Sequence, residues 1–67
     1  MIQVTINGEL RSIPAGKSVL ELLEFLATPA DRVAVEINRE IVCKRDWGAT
    51  TIEAGAKIEI VQFVGGG

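Results

Sequence analysis

Three consecutive glycines, Gly65, Gly66 and Gly67, follow the apolar run Ile60-Val61-Gln62-Phe63-Val64. Glycine has no Cβ and samples backbone conformations closed to other residues, so such a tail is flexible and slim enough to thread a narrow channel. It would carry the α-carboxylate of Gly67 to a partner's reacting atoms. That group has a pKa of about 3.3–3.7, so at neutral pH it is ionised and inert until something activates it. Little else in the chain offers chemistry: there is no histidine, no tyrosine and a single cysteine. Cys43 reads as a small strand residue, with no histidine available to lower its pKa. Trp47 reads as a packed cap on a small core, and Asp31 and Asp46 as solvated charges.

The rest of the chain must hold that tail and present it. Sixty-seven residues, 48% of them hydrophobic and 24% charged, fit one ordered domain and argue against intrinsic disorder. A domain of this size buries only about 60% of its unfolded surface, which leaves little room for an active site beside the core. An independent enzyme is therefore not expected. A net charge of −2 with both signs scattered gives no basic run for nucleic acid. No apolar stretch approaches the roughly 20 residues that span a membrane. One cysteine forms no internal disulfide and no four-cysteine iron–sulfur site. With no signal pattern at Met1-Ile2-Gln3-Val4, the expected localisation is cytoplasmic.

Ile2, Val4 and Ile6 alternate with polar residues as in a half-buried strand, and Asn7-Gly8 is a hairpin signal. The second strand runs from Glu9 to Ile13. A two-residue turn would pair Ile6 with Glu9 and put Arg11 on the Val4 face. A three-residue loop closed by Gly8 would pair Val4 with Leu10, apolar with apolar, and is the expected register. After Pro14-Ala15-Gly16, Ser18 and Glu21 have capping-box spacing, and Val19, Leu22, Leu23 and Leu26 form one apolar stripe of a helix. That helix should stop near Thr28, before Pro29. Strands follow over 33–37 and 40–43, joined by an Asn38-Arg39 turn. Segment 44–51, polar apart from Trp47, is expected to wander over the surface with a helical turn, and a last strand to run from about Lys57 to Val64. One helix and one sheet must pack against each other. The expected architecture is α+β: a β-grasp roll in which a mixed sheet of four to five strands packs on one main helix. Residues 1–64 form the domain and residues 65–67 the tail.

Several stretches together resemble the ubiquitin-like sulfur carriers of prokaryotes, and among them the ThiS family of thiamin biosynthesis. They are the early Asn7-Gly8 hairpin, Gly16-Lys17-Ser18-Val19 leading into Leu22-Leu23, 33–38, Ile41-Val42 with Trp47, and Glu59-Ile60-Val61 running into Val64-Gly65-Gly66-Gly67. Cys43 departs from that pattern, since many relatives have proline there. The resemblance implies a protein co-substrate with no bound cofactor. A ThiF-like adenylating enzyme would use ATP and Mg²⁺ to activate Gly67. A persulfide donor such as a cysteine desulfurase would displace AMP to leave a thiocarboxylate, and a thiazole synthase would take the sulfur. Gly65 and Gly66 would thread each partner's channel. The alternatives on this fold are the small subunit of molybdopterin synthase, a ubiquitin-like protein modifier and an interaction module with no chemistry.

Alternation in the last strand gives the tail a foothold. If Ile58, Ile60 and Val64 face the helix, then Glu59, Val61 and Phe63 face away. An apolar pair on the uncovered face, just before the tail, suggests a docking surface formed by Val61 and Phe63. Arg11, Glu36 and Arg39 are candidates for its polar rim.

Overall fold

The computed structural model describes residues 1–63. The first hairpin pairs β1 (Ile2–Ile6) with β2 (Glu9–Ile13) in antiparallel register. Asn7 and Gly8 form its turn with φ of 50° and 83°, the positive values that a two-residue type I′ turn requires. The register is therefore Ile6 opposite Glu9 and Val4 opposite Arg11, which corrects the three-residue loop expected from matching Val4 with Leu10. Strand β2 lies at the sheet edge and buries only Ile13. Apolar matching carries little weight there, and turn geometry decides. Leu10 instead stands opposite Thr5 on the other face, 69% exposed.

The helix α1 (Val19–Phe25) begins with the expected capping box. The Ser18 N–H donates to Glu21 Oε1 at 2.9 Å, and the Glu21 N–H donates to Ser18 Oγ at 3.2 Å. Segment 44–52 completes the cap: Val19 N–H donates to the Thr50 carbonyl and Leu20 N–H to that of Trp47. All four N–H groups that a helix start leaves without intrahelical partners are thus satisfied. The segment expected to wander is tied down by this contact, and a short 3₁₀ turn over Lys44–Asp46 leads into it. Trp47 is 2% exposed and donates its indole N–H to the Val42 carbonyl at 2.9 Å. At the other end of α1, Ala27 takes φ of 55°. Its N–H bonds Glu24 and that of Thr28 bonds Leu23, which is the Schellman closure.

The remaining strands are β3 (Val33–Ile37), β4 (Glu40–Val42) and β5 (Lys57–Gln62). Their order with the first two is β2-β1-β5-β3-β4, with β1 and β5 parallel and the other pairs antiparallel. Val19, Leu22 and Leu23 of α1 are buried in one core with Val4, Ile6, Ile13, Val33, Val35 and Ile58 of the sheet. Ile52 and Ala56 join that core from the loop before β5. The mixed five-stranded sheet on one main helix is the expected β-grasp.

Candidate functional site

Strand β5 carries Val61 of the expected docking pair and leads directly into Phe63. It occupies the middle of the sheet, parallel to β1 on one side and antiparallel to β3 on the other. Its side chains alternate: Ile58 is fully buried and Ile60 packs against the core, while Glu59 and Val61 point to the uncovered face. Phe63 follows the strand and is 59% exposed; its N–H donates to the Arg32 carbonyl at 2.8 Å. Val64, Gly65, Gly66 and Gly67, with the core placement expected of Val64 and the tail assigned to the glycines, lie outside the described residues.

On the uncovered face, Val61 stands opposite Ala34 and is 53% exposed. Ile41 on β4 stands opposite Glu36 and is 73% exposed. Glu36 in turn faces Glu59 across the β3–β5 ladder. The face therefore combines scattered apolar side chains with a like-charged pair, an arrangement that costs rather than adds stability. Arg39 is exposed in the β3–β4 turn, at φ of 71°. Arg11 does not belong with these residues. The two-residue turn puts it opposite Val4, on the helix side of the sheet, so the rim loses one of its three expected members.

Two asparagines hold β5 from the hairpin turns. Asn38 (φ 51°) bonds Lys57 twice: its backbone N–H donates to the Lys57 carbonyl at 2.8 Å, and its Oδ1 accepts the Lys57 N–H at 3.0 Å. Asn7 acts further along. Its backbone N–H donates to the Ile58 carbonyl at 2.9 Å, its Nδ2 donates to the Ile60 carbonyl at 3.1 Å, and its Oδ1 accepts the Ile60 N–H at 2.7 Å. Sequence reading took Asn7-Gly8 only as a turn and missed this second use. The signal available was the residue type: asparagine tolerates a left-handed backbone and also offers both a donor and an acceptor.

Cys43 is exposed and lies just past β4, as the residue that starts the 3₁₀ turn; the strand position expected for it is not where it sits. It lines an open groove of about 560 Å³ with Glu40, Ile41, Asp46 and Thr50 among others. Among the described residues, no group of three or more histidines, cysteines, aspartates or glutamates is placed to hold a metal ion. No helix among them is long and apolar enough to cross a membrane.

Comparison with known proteins puts this geometry in a lineage. A thiazole synthase from Paramagnetospirillum magneticum is 42% identical over 66 residues, 98% of this chain but 20% of that relative. The chain thus spans about a fifth of that longer protein. The sulfur carrier protein ThiS of Escherichia coli is 32% identical over 66 residues, covering 98% of this chain and all of that one. The crystal structure of a thiamine biosynthesis protein (ThiS) from Geobacter metallireducens superposes with a TM-score of 0.86 at 33% identity, covering 98% of this chain and 100% of that one. The ThiS family profile matches residues 4–67, a span that takes in both β5 and all three terminal glycines. On the strength of that span and of a shared fold, the chain belongs to the ThiS family.

Proposed function

We propose that the chain carries sulfur as a thiocarboxylate on Gly67 and is recycled between partner enzymes. The observation that carries the reading is the family match running through Gly67. An adenylating enzyme of the ThiF kind joins the Gly67 carboxylate to the α-phosphorus of ATP, releasing pyrophosphate and leaving an acyl-adenylate. Mg²⁺ and the nucleotide belong to that enzyme. The terminal sulfur of a persulfide, such as one formed on a cysteine desulfurase, attacks the acyl carbon and expels AMP. A thiol then reduces the acyl disulfide, is itself oxidised to a disulfide with the donor, and frees the thiocarboxylate. A thiazole synthase accepts this sulfur. Support for that partner comes from relatives that are thiazole synthases in which the matching stretch makes up a fifth of the protein.

Val61 and Phe63 supply the docking surface, with Glu36 and Arg39 at its rim, and Gly65 and Gly66 pass through the partner's channel. A tail alone binds weakly because ordering it costs entropy, so an exposed aromatic beside its root is a natural anchor. Intact mass of the protein from its native cell tests the reading. Exchange of one oxygen for sulfur at Gly67 is the expected result, whereas a branched peptide on a target lysine would mean a protein modifier. Deleting Gly67 shortens the reach by up to about 3.3–3.6 Å, and errors of about 1 Å can cost around a hundredfold in rate. ATP–pyrophosphate exchange with the adenylating partner should collapse in that variant while its melting temperature stays the same.

A further inference from the structure

We propose that Asn7 is a positioning residue for the tail chemistry: its side-chain amide fixes the C-terminal half of β5 at Ile60, and so the place from which Gly67 is delivered. The inference rests on Gly67 being the sulfur-bearing residue. Backbone pairing between β1 and β5 covers Thr5 with Lys57 and Ile6 with Ile58, and ends with the Asn7 N–H on the Ile58 carbonyl. At Asn7 the chain turns away into the hairpin, and the ladder has no further backbone to use. The Asn7 side chain takes over, with Nδ2 on the Ile60 carbonyl and Oδ1 on the Ile60 N–H. One such bond would leave a hinge, whereas the pair sets both the position and the roll of the strand at Ile60.

On its other edge, β5 is held by β3 as far as Gln62 opposite Val33, and then by the Phe63 N–H on Arg32. Without the Asn7 amide, the stretch from Ile60 to Phe63 is held along one edge only. That stretch contains both Val61 and Phe63, and in sequence only Val64 separates it from the tail. Both bonds are exposed, so water competes for them and their contribution to global stability is small. Their geometric effect is not diluted in the same way. No other residue substitutes fully: aspartate offers acceptors only, glycine offers nothing, and longer amides tolerate the left-handed backbone poorly.

Asn7→Gly keeps the turn, since glycine accepts positive φ, and removes the amide. Asn38→Gly is the matched control, because it removes a side-chain bond to the opposite end of β5, at Lys57. Adenylation by the partner enzyme is measured at a temperature where wild type and both variants are folded. In Asn7→Gly, kcat should fall about tenfold or more, within the range that a positioning error of about 1 Å produces. Asn38→Gly should keep kcat within about twofold of wild type, since a loss confined to transition-state alignment shows in kcat. Amide exchange at Ile60 should quicken in Asn7→Gly alone. If that variant fails to fold, Asn7→Asp keeps the acceptor, loses the donor and is expected to lower kcat in the same direction. An unchanged kcat in the Asn7 variant, or an equal fall in both glycine variants, overturns the proposal. Failure of the wild type itself to be adenylated would instead overturn the reading of Gly67.

Discussion

At the scale of single residues, Phe63 is the sharpest test of how the chain meets its partners. An aromatic ring 59% exposed beside the tail root contributes little to the core, because truncating a buried phenylalanine costs about 3–5 kcal/mol and this ring is mostly in water. Phe63→Ala is expected to leave thermal stability nearly unchanged and to weaken binding to the adenylating enzyme by at least about 1 kcal/mol. Calorimetric titration and a melting curve on the same variant check both halves. A large loss of stability with binding intact would return Phe63 to the core. Its backbone bond to Arg32 survives the substitution, so any binding defect belongs to the ring.

At the scale of elements, the two ends of α1 make opposite predictions. Ser18 and Glu21 cap its start reciprocally, and Ser18→Ala should cost about 0.5–2 kcal/mol. The Ser18 backbone N–H, and after it the Ser18 hydroxyl, hold the Glu21 carboxyl below its ordinary value of 4.5, with Lys17 adding to the effect. A depressed carboxyl stabilises the fold above its unfolded value, and that contribution is lost as pH falls through the folded value. Glu21→Gln keeps a capping partner but does not titrate, so its stability should fall less than wild type between neutral pH and pH about 3. Denaturant melts across that range measure the difference in slope. At the other end, Ala27 holds a left-handed backbone. That conformation costs an L-residue about 1–2 kcal/mol, more than the about 0.5–1 kcal/mol of extra chain entropy that glycine loses. Ala27→Gly should therefore stabilise by about 0.5–1 kcal/mol and raise Tm by a few degrees.

These elements differ in how openly the sequence announces them. The cap, the stripe of Val19, Leu22 and Leu23 and the Asn38-Arg39 turn are local signals, and each is found where its spacing puts it. The phase of β5 is legible for the same reason: Ile58 and Ile60 face the core and Val61 the far side because the period is two. Register is a relation between two strands, and at the edge strand β2 the turn outweighed the apolar match of Val4 with Leu10. Ile52 and Ala56 are buried from a loop with no period to read, whereas Trp47 is the packed cap that its residue type suggested. The amide of Asn7 reaches a residue 53 positions away, beyond the range of any local pattern.

For the whole molecule, the order β2-β1-β5-β3-β4 puts the last strand of the chain at the centre of the sheet. Without β5 the sheet divides into two hairpins, β1 with β2 and β3 with β4, and a lone two-stranded hairpin is marginal at best in water. A chain ended at Gly55 should accordingly show no cooperative thermal transition by circular dichroism, while one ended at Val64, the last residue of the expected domain, should melt close to the full-length protein. The same topology bears on how the protein is made. During synthesis everything up to Ile52 leaves the ribosome before β5 does, yet it has no centre to assemble on. Gly67 lies five residues beyond Gln62, so the strand that completes the fold and the tail that would bear sulfur emerge almost together. A chain still lacking β5 offers a partner no folded face. The face that carries Val61 forms only once β5 has joined the sheet, so a chain interrupted before it has no fold to shield it from proteolysis.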